Sequence, residues 1–144
     1  MAQVAFHFNV ADPIDYVCRL TRKVRARNLS LVVCADPADV ADIDQRLWTL
    51  APLAFLPHAG PNAPAHVAAR SPVRLCTEVS MQDTGQVLVN LRTAAPEHAG
   101  RFERLVEIVP MDEPSRAAAR QRWRGYVAQG LTPERHDVAA MPAQ

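Results

Sequence analysis

Only five glycines occur in the chain, Gly60, Gly85, Gly100, Gly125 and Gly130, and they stand too far apart for either G-x-G-x-x-G or a P-loop. That spacing excludes the usual backbone cradle for a phosphate. The three cysteines, Cys18, Cys34 and Cys76, are odd in number and lack a C-x-x-C pair, which argues against zinc or dithiol redox chemistry. They read as small apolar core residues. None of the serines, Ser30, Ser71, Ser80 and Ser115, lies in a G-x-S-x-G elbow. His7, His58, His66, His98 and His136 lack the i, i+4 pairing of helical zinc sites and read as surface or capping imidazoles. No apolar run approaches the ~18 residues of a membrane span, and Met1 to Phe8 carries neither a basic leader nor a small-residue cleavage site. The expectation is a soluble cytoplasmic chain with no cofactor and no membrane partner. Lysine is nearly missing as well. Lys23 is the only one, so the 16 Lys+Arg residues are almost all arginine, a rigid, forked and permanently charged donor. Against 15 Asp+Glu they leave a net charge of +1, too little for a global field toward nucleic acid or an anionic membrane.

What is present suffices for one hydrophobic core: 144 residues, 49% of them apolar. Val4-Ala5-Phe6-His7-Phe8 reads as a strand. Asp12-Pro13 then opens a helix carrying Ile14, Val17, Cys18, Leu20, Thr21 and Val24 at helical spacing. Leu29 to Cys34 is a nearly continuous apolar run, as a strand covered on both faces requires. Asp36-Pro37 starts a second helix through Val40, Ile43, Leu47 and Trp48. From Ala51 to Pro72 the prolines Pro52, Pro57, Pro61, Pro64 and Pro72 discourage regular structure, and Phe55-Leu56-Pro57-His58 within them reads as a short strand or a surface anchor. Val73 to Cys76, Gln86 to Leu91 and Glu103 to Val109 read as further strands. The alternation predicts a single α/β domain over residues 1–131, with a mostly parallel sheet, helices on both faces and no nucleotide-binding loop. Residues 132–144 are expected to be a weakly ordered tail. Asp12 and Asp36, in glycine-free turns, read as helix N-caps.

The last helix, Pro114 to Gln129, carries the most chemistry. Acids precede it, Pro114 lies in its first turn and Gly130 sits where a C-terminal cap belongs. Arg116, Arg120 and Arg124 form an i, i+4, i+8 stripe with Trp123 and Val127 beside it, while Ala118, Ala119 and Tyr126 can face a sheet. Three readings fit that stripe: a solvated helix face, an interface for a peptide that is both acidic and apolar, or a stacking surface for single-stranded nucleic acid. An enzyme with a dispersed site stays open as well, since fold alone does not decide function.

The chain also resembles a known family, the chi subunit of bacterial DNA polymerase III holoenzyme. The resemblance runs in order through Leu47-Trp48, Phe55-Leu56-Pro57-His58, Val87-Leu88-Val89-Asn90-Leu91, Val106 to Pro110, Arg116, and Arg120-Gln121-Arg122-Trp123-Arg124-Gly125-Tyr126 with Gly130. It implies a Rossmann-like domain without a nucleotide site, acting as a non-catalytic adaptor. Its implied partners are the acidic, Phe-terminated C-terminal tail of single-stranded DNA-binding protein and the psi subunit of the clamp loader, with DNA reached only indirectly. By position, the tail would meet Val109 as an apolar contact, Arg116, Arg120 and Arg124 as carboxylate partners and Trp123 as a hydrophobic wall. Trp123 stands where the family often has tyrosine, and Arg116 and Arg124 where lysine is common. For psi, the candidates are Trp48, Phe55, Pro57 and His58, with closure of the core the competing role for the two aromatics.

Overall fold

Asp12 starts the first helix through its side chain, which accepts a hydrogen bond from the Asp15 amide at 3.1 Å, and Pro13 occupies a first-turn position whose N–H has no helical partner anyway. The structure is a computed structural model, and it describes residues 3–49, 73–79 and 85–140. In chain order it contains β1 (Gln3–Val10), α1 (Pro13–Ala26), β2 (Leu31–Cys34), α2 (Pro37–Thr49), β3 (Val73–Cys76), β4 (Val87–Asn90), β5 (Arg104–Pro110), α3 (Glu113–Ala128) and β6 (Glu134–Asp137). Short 3-10 turns lie at Ala99–Arg101 and Val138–Ala140.

The six strands form one sheet in the order β3-β2-β4-β5-β1-β6, and every described pairing is parallel. Side chains alternate across it. On β5, Val106 and Ile108 join Val17, Cys18, Val24, Val40, Ile43 and Leu47 of α1 and α2 on one face. Leu105 and Val109 join Ala119 and Tyr126 of α3 on the other. Helices thus cover both faces, which is why β2 and β4 are buried at all four positions and show no polar alternation. Cys18, Cys34 and Cys76 are buried free thiols.

Two expectations need correction. The segment after Leu131 is not a loose tail throughout: Glu134–Asp137 adds β6 to the sheet edge, pairing Ala5 with Glu134 through Phe8 with Asp137. Its sequence, Glu134-Arg135-His136-Asp137, hides this because an edge strand needs no apolar alternation. Buried Pro133 and an Asn9 Nδ2 to Asp137 Oδ1 hydrogen bond of 3.0 Å hold it in place. Residues 141–144 lie outside the described part. His7 is not a surface or capping imidazole either. Its Nδ1 lies 2.5 Å from the Tyr16 hydroxyl and its ring 5.1 Å from that of His136. Burial, reinforced by His136, Arg104 and Lys23, pushes its pKa down to about 4. Asp36 holds the position expected of it at the start of α2, its carbonyl accepting from the Val40 amide at 2.9 Å, while its carboxylate lies 3.4 Å from Arg92 Nε.

Candidate functional site: a cationic groove between α3, β1 and β6

The local sequence sets both ends of α3. Asp112 accepts from the Ser115 amide at 3.0 Å, a bond that holds its carboxyl below the usual range, and Gly130 takes φ +88°, which a residue with a Cβ adopts only under strain. A buried polar cluster then fixes how the helix is rotated. Glu107 on β5 is fully buried and accepts from Asn90 Nδ2 at 2.7 Å on Oε1 and from the Tyr126 hydroxyl at 2.6 Å on Oε2. Arg122, also buried, places Nε 3.1 Å from Oε2 and donates from Nη1 to the Thr93 carbonyl at 2.7 Å. Burial pushes the Glu107 carboxyl above the ordinary glutamate range against the pull of Arg122, Tyr126 and Asn90, and burial beside Glu107 pushes the Tyr126 phenol up. Apolar packing alone would let a helix roll on the sheet. Hydrogen bonds at Arg122 and Tyr126, one helical turn apart, restrict that roll, because a small rotation would orphan a buried charge at a cost of about 3–5 kcal/mol.

With α3 held this way, Arg116, Arg120, Trp123 and Arg124 line a groove of about 670 Å³ together with Val109. Its remaining lining comes from Phe6, Phe8 and Asn9 of β1, Ala119 of α3 and Arg135 of β6. Every residue assigned by position to a peptide tail therefore lies on one concave surface, at the carboxyl ends of β1 and β5. The three stripe arginines differ in their surroundings. Arg116 donates to Asn9 Oδ1 at 2.8 Å, and Asn9 is in a left-handed conformation with φ 61°. Arg120 is paired with the Glu113 carboxylate, both side chains being more than half exposed. Arg124 is exposed. Trp123 does not project freely from the stripe; it is half-buried, its ring 5.1 Å from Phe6 at an interplanar angle of 52°. Phe6 also meets Tyr126 edge-on at 6.0 Å, so the wall of the groove is continuous with the core. Val127 is 50% exposed and lies outside the lining.

An apolar floor flanked by guanidinium groups can hold a hydrophobic side chain and carboxylates together. Among the described residues the lining contains no Ser, Thr, Tyr or Cys and no His, Asp or Glu. Among the described residues no group of three His, Cys, Asp or Glu is placed to hold a metal ion. No described helix is long and apolar enough to cross a membrane. Of the four psi candidates, Trp48 belongs to the last turn of α2, while Phe55, Pro57 and His58 lie outside the described residues. Sequence reading missed Phe6, Phe8, Asn9 and Arg135. The two aromatics looked like ordinary strand residues, Asn9 like a turn residue and Arg135 like part of a tail.

A family model described as DNA polymerase III chi subunit, HolC, matches residues 1–134. The chain is 32% identical over 130 residues to DNA polymerase III subunit chi of Pseudomonas aeruginosa, covering 88% of this chain and 89% of that one. To the protein of the same name from Escherichia coli K12 it is 28% identical over 120 residues, covering 80% and 78%. The Haemophilus influenzae protein of that name is 25% identical over 117 residues, covering 81% of each. Among solved structures, the C-terminal domain of the DEAD-box protein Dbp5 superposes with a TM-score of 0.61 at 15% identity, covering 96% of this chain and 91% of that one. That likeness is one of fold.

Proposed function

The chain belongs to the DNA polymerase III chi subunit family and is an accessory subunit in DNA replication; from that premise we propose that it is a non-catalytic adaptor whose α3 groove binds the acidic C-terminal tail of single-stranded DNA-binding protein. Through psi it would connect that tail to the clamp loader, a role exercised in the cytoplasm. The observation carrying this reading is the convergence of Val109, Arg116, Arg120, Trp123 and Arg124 on one groove. A tail ending in phenylalanine supplies a ring to pack between the Phe6 floor and the Trp123 wall, and its carboxylates supply partners for the arginines. The psi connection rests on family membership and on the candidates Trp48, Phe55, Pro57 and His58.

Direct single-stranded nucleic-acid binding is less well supported. Such sites depend on rings open for bases to stack upon. Here Trp123 packs on Phe6, and Phe8 is overlain by the Arg135 guanidinium at 5.1 Å. Calorimetric titration with an acidic peptide ending in Phe separates the two readings. Micromolar binding, about −8 kcal/mol, weakened by Arg120→Ala and by Trp123→Ala, supports the adaptor. Tight binding of a bare oligonucleotide and none of the peptide supports the alternative.

A further inference from the structure

The groove has a second cationic wall that the helix stripe does not include. Its floor is β1, its first wall is α3, and its opposite wall is β6, hydrogen-bonded along the other edge of β1. Arg135 stands on that wall with its guanidinium carbon 5.1 Å above the Phe8 ring. Stacking on an aromatic face orders a guanidinium without using its N–H groups, which stay free to donate in the ring plane. Two of the groove's other arginines are already engaged, Arg116 by Asn9 and Arg120 by Glu113. Among the described residues, Arg124 and Arg135 have no hydrogen-bond acceptor, and they belong to different walls. A chain lying along β1 would meet fixed positive charge on both sides.

We propose that Arg135, held over Phe8, is a specificity-determining residue of this groove. It takes a side-chain carboxylate of the bound peptide other than the one at its C-terminus, and so makes β6 a functional edge. This rests on the peptide-binding reading above and extends it to a residue outside the helix. It also gives β6 a use beyond covering the edge of the sheet. The Asn9 side chain couples the two walls, accepting from Arg116 on one side and donating to Asp137 of β6 at 3.0 Å on the other.

The test compares two octapeptides with the same C-terminal Phe, one carrying four consecutive aspartates and the other asparagine at those positions. Arg135→Gln keeps much of the stem over Phe8 and removes the charge. It is expected to weaken the aspartate peptide about fivefold, as for a partly exposed charge pair, and to leave the asparagine peptide unchanged. Arg135→Lys should retain most of the affinity for the aspartate peptide, which loss of β6 packing would not allow. Equal binding of the aspartate peptide by Arg135→Gln and wild type overturns the assignment of Arg135. So does an equal loss for both peptides. If Arg120→Ala still weakens the aspartate peptide in those cases, the helix reading survives. If the wild-type chain binds neither peptide, both readings fall.

Discussion

Tyr126 donates its phenolic proton to Glu107 Oε2 across 2.6 Å, in a site where Glu107 has no solvent exposure. That bond reaches from the middle strand of the α3 face to the helix bearing the groove, and it ties the buried interior to the exposed stripe. Tyr126→Phe is expected to lower stability by about 1–3 kcal/mol, the cost of leaving a buried acceptor short of a partner. Glu107→Ala should cost more, about 3–5 kcal/mol, because it strands Arg122 beneath the helix. Urea unfolding measures both. A Glu107→Ala protein as stable as wild type would mean that the cluster does not hold α3.

Glu113 already occupies one of the groove's arginines. In the proposed peptide-binding role it would be a resident carboxylate that an incoming one has to displace from Arg120. Glu113→Gln is therefore expected to tighten an acidic peptide about twofold, a small gain because the pair is exposed and weak. A titration in which the variant binds more weakly than wild type would show that Glu113 orients Arg120 instead of competing for it.

Asn9 combines a left-handed backbone with two side-chain hydrogen bonds, to Arg116 and to Asp137. Asn9→Gly preserves the backbone and deletes both bonds. The expected outcome is faster amide exchange in β6 and peptide affinity lowered about threefold, with the rest of the sheet unchanged. Unaltered exchange in residues 134–137 would place the anchoring of β6 elsewhere.

His7 gives the fold a dependence on pH. Its pKa falls from 6.5 to about 4 on folding, so the unfolded chain binds the extra proton between those values. Its contribution to stability is complete above about 6.5 and is lost as the pH drops toward 4. With allowance for partial exposure it amounts to about 2 kcal/mol. Denaturant melts across that range should show the decline in wild type and a flatter profile in His7→Gln.

These elements differ in how visible they are in the sequence. α1 announces itself through Asp12-Pro13 and the spacing of Val17, Cys18, Thr21 and Val24, because a capped amphipathic helix writes its own boundaries. β2 and β4 show as apolar runs, since strands covered on both faces tolerate little else. The stripe of Arg116, Arg120 and Arg124 is legible because helical geometry alone puts those residues together. The floor and far wall are not, because they depend on which strand neighbours which. Nothing local in Phe6, Phe8 or Arg135 says that β1 lies between β5 and β6. The sequence places Glu107 within the strand Glu103 to Val109 without saying what it meets, and only the partners Asn90, Arg122 and Tyr126, brought in from two other elements, explain a carboxylate at the centre of the sheet.

The groove between α3, β1 and β6 is proposed to bind an acidic peptide ending in an aromatic residue. Amide and indole NMR shifts, followed while unlabelled peptide is added to isotope-labelled protein, locate the bound peptide residue by residue. Saturable changes are expected at Trp123 and at the backbone of Phe6 to Asn9, Val109, Arg116 to Arg124 and Arg135. Changes centred on α1 and α2, on the opposite face of the sheet, would contradict it.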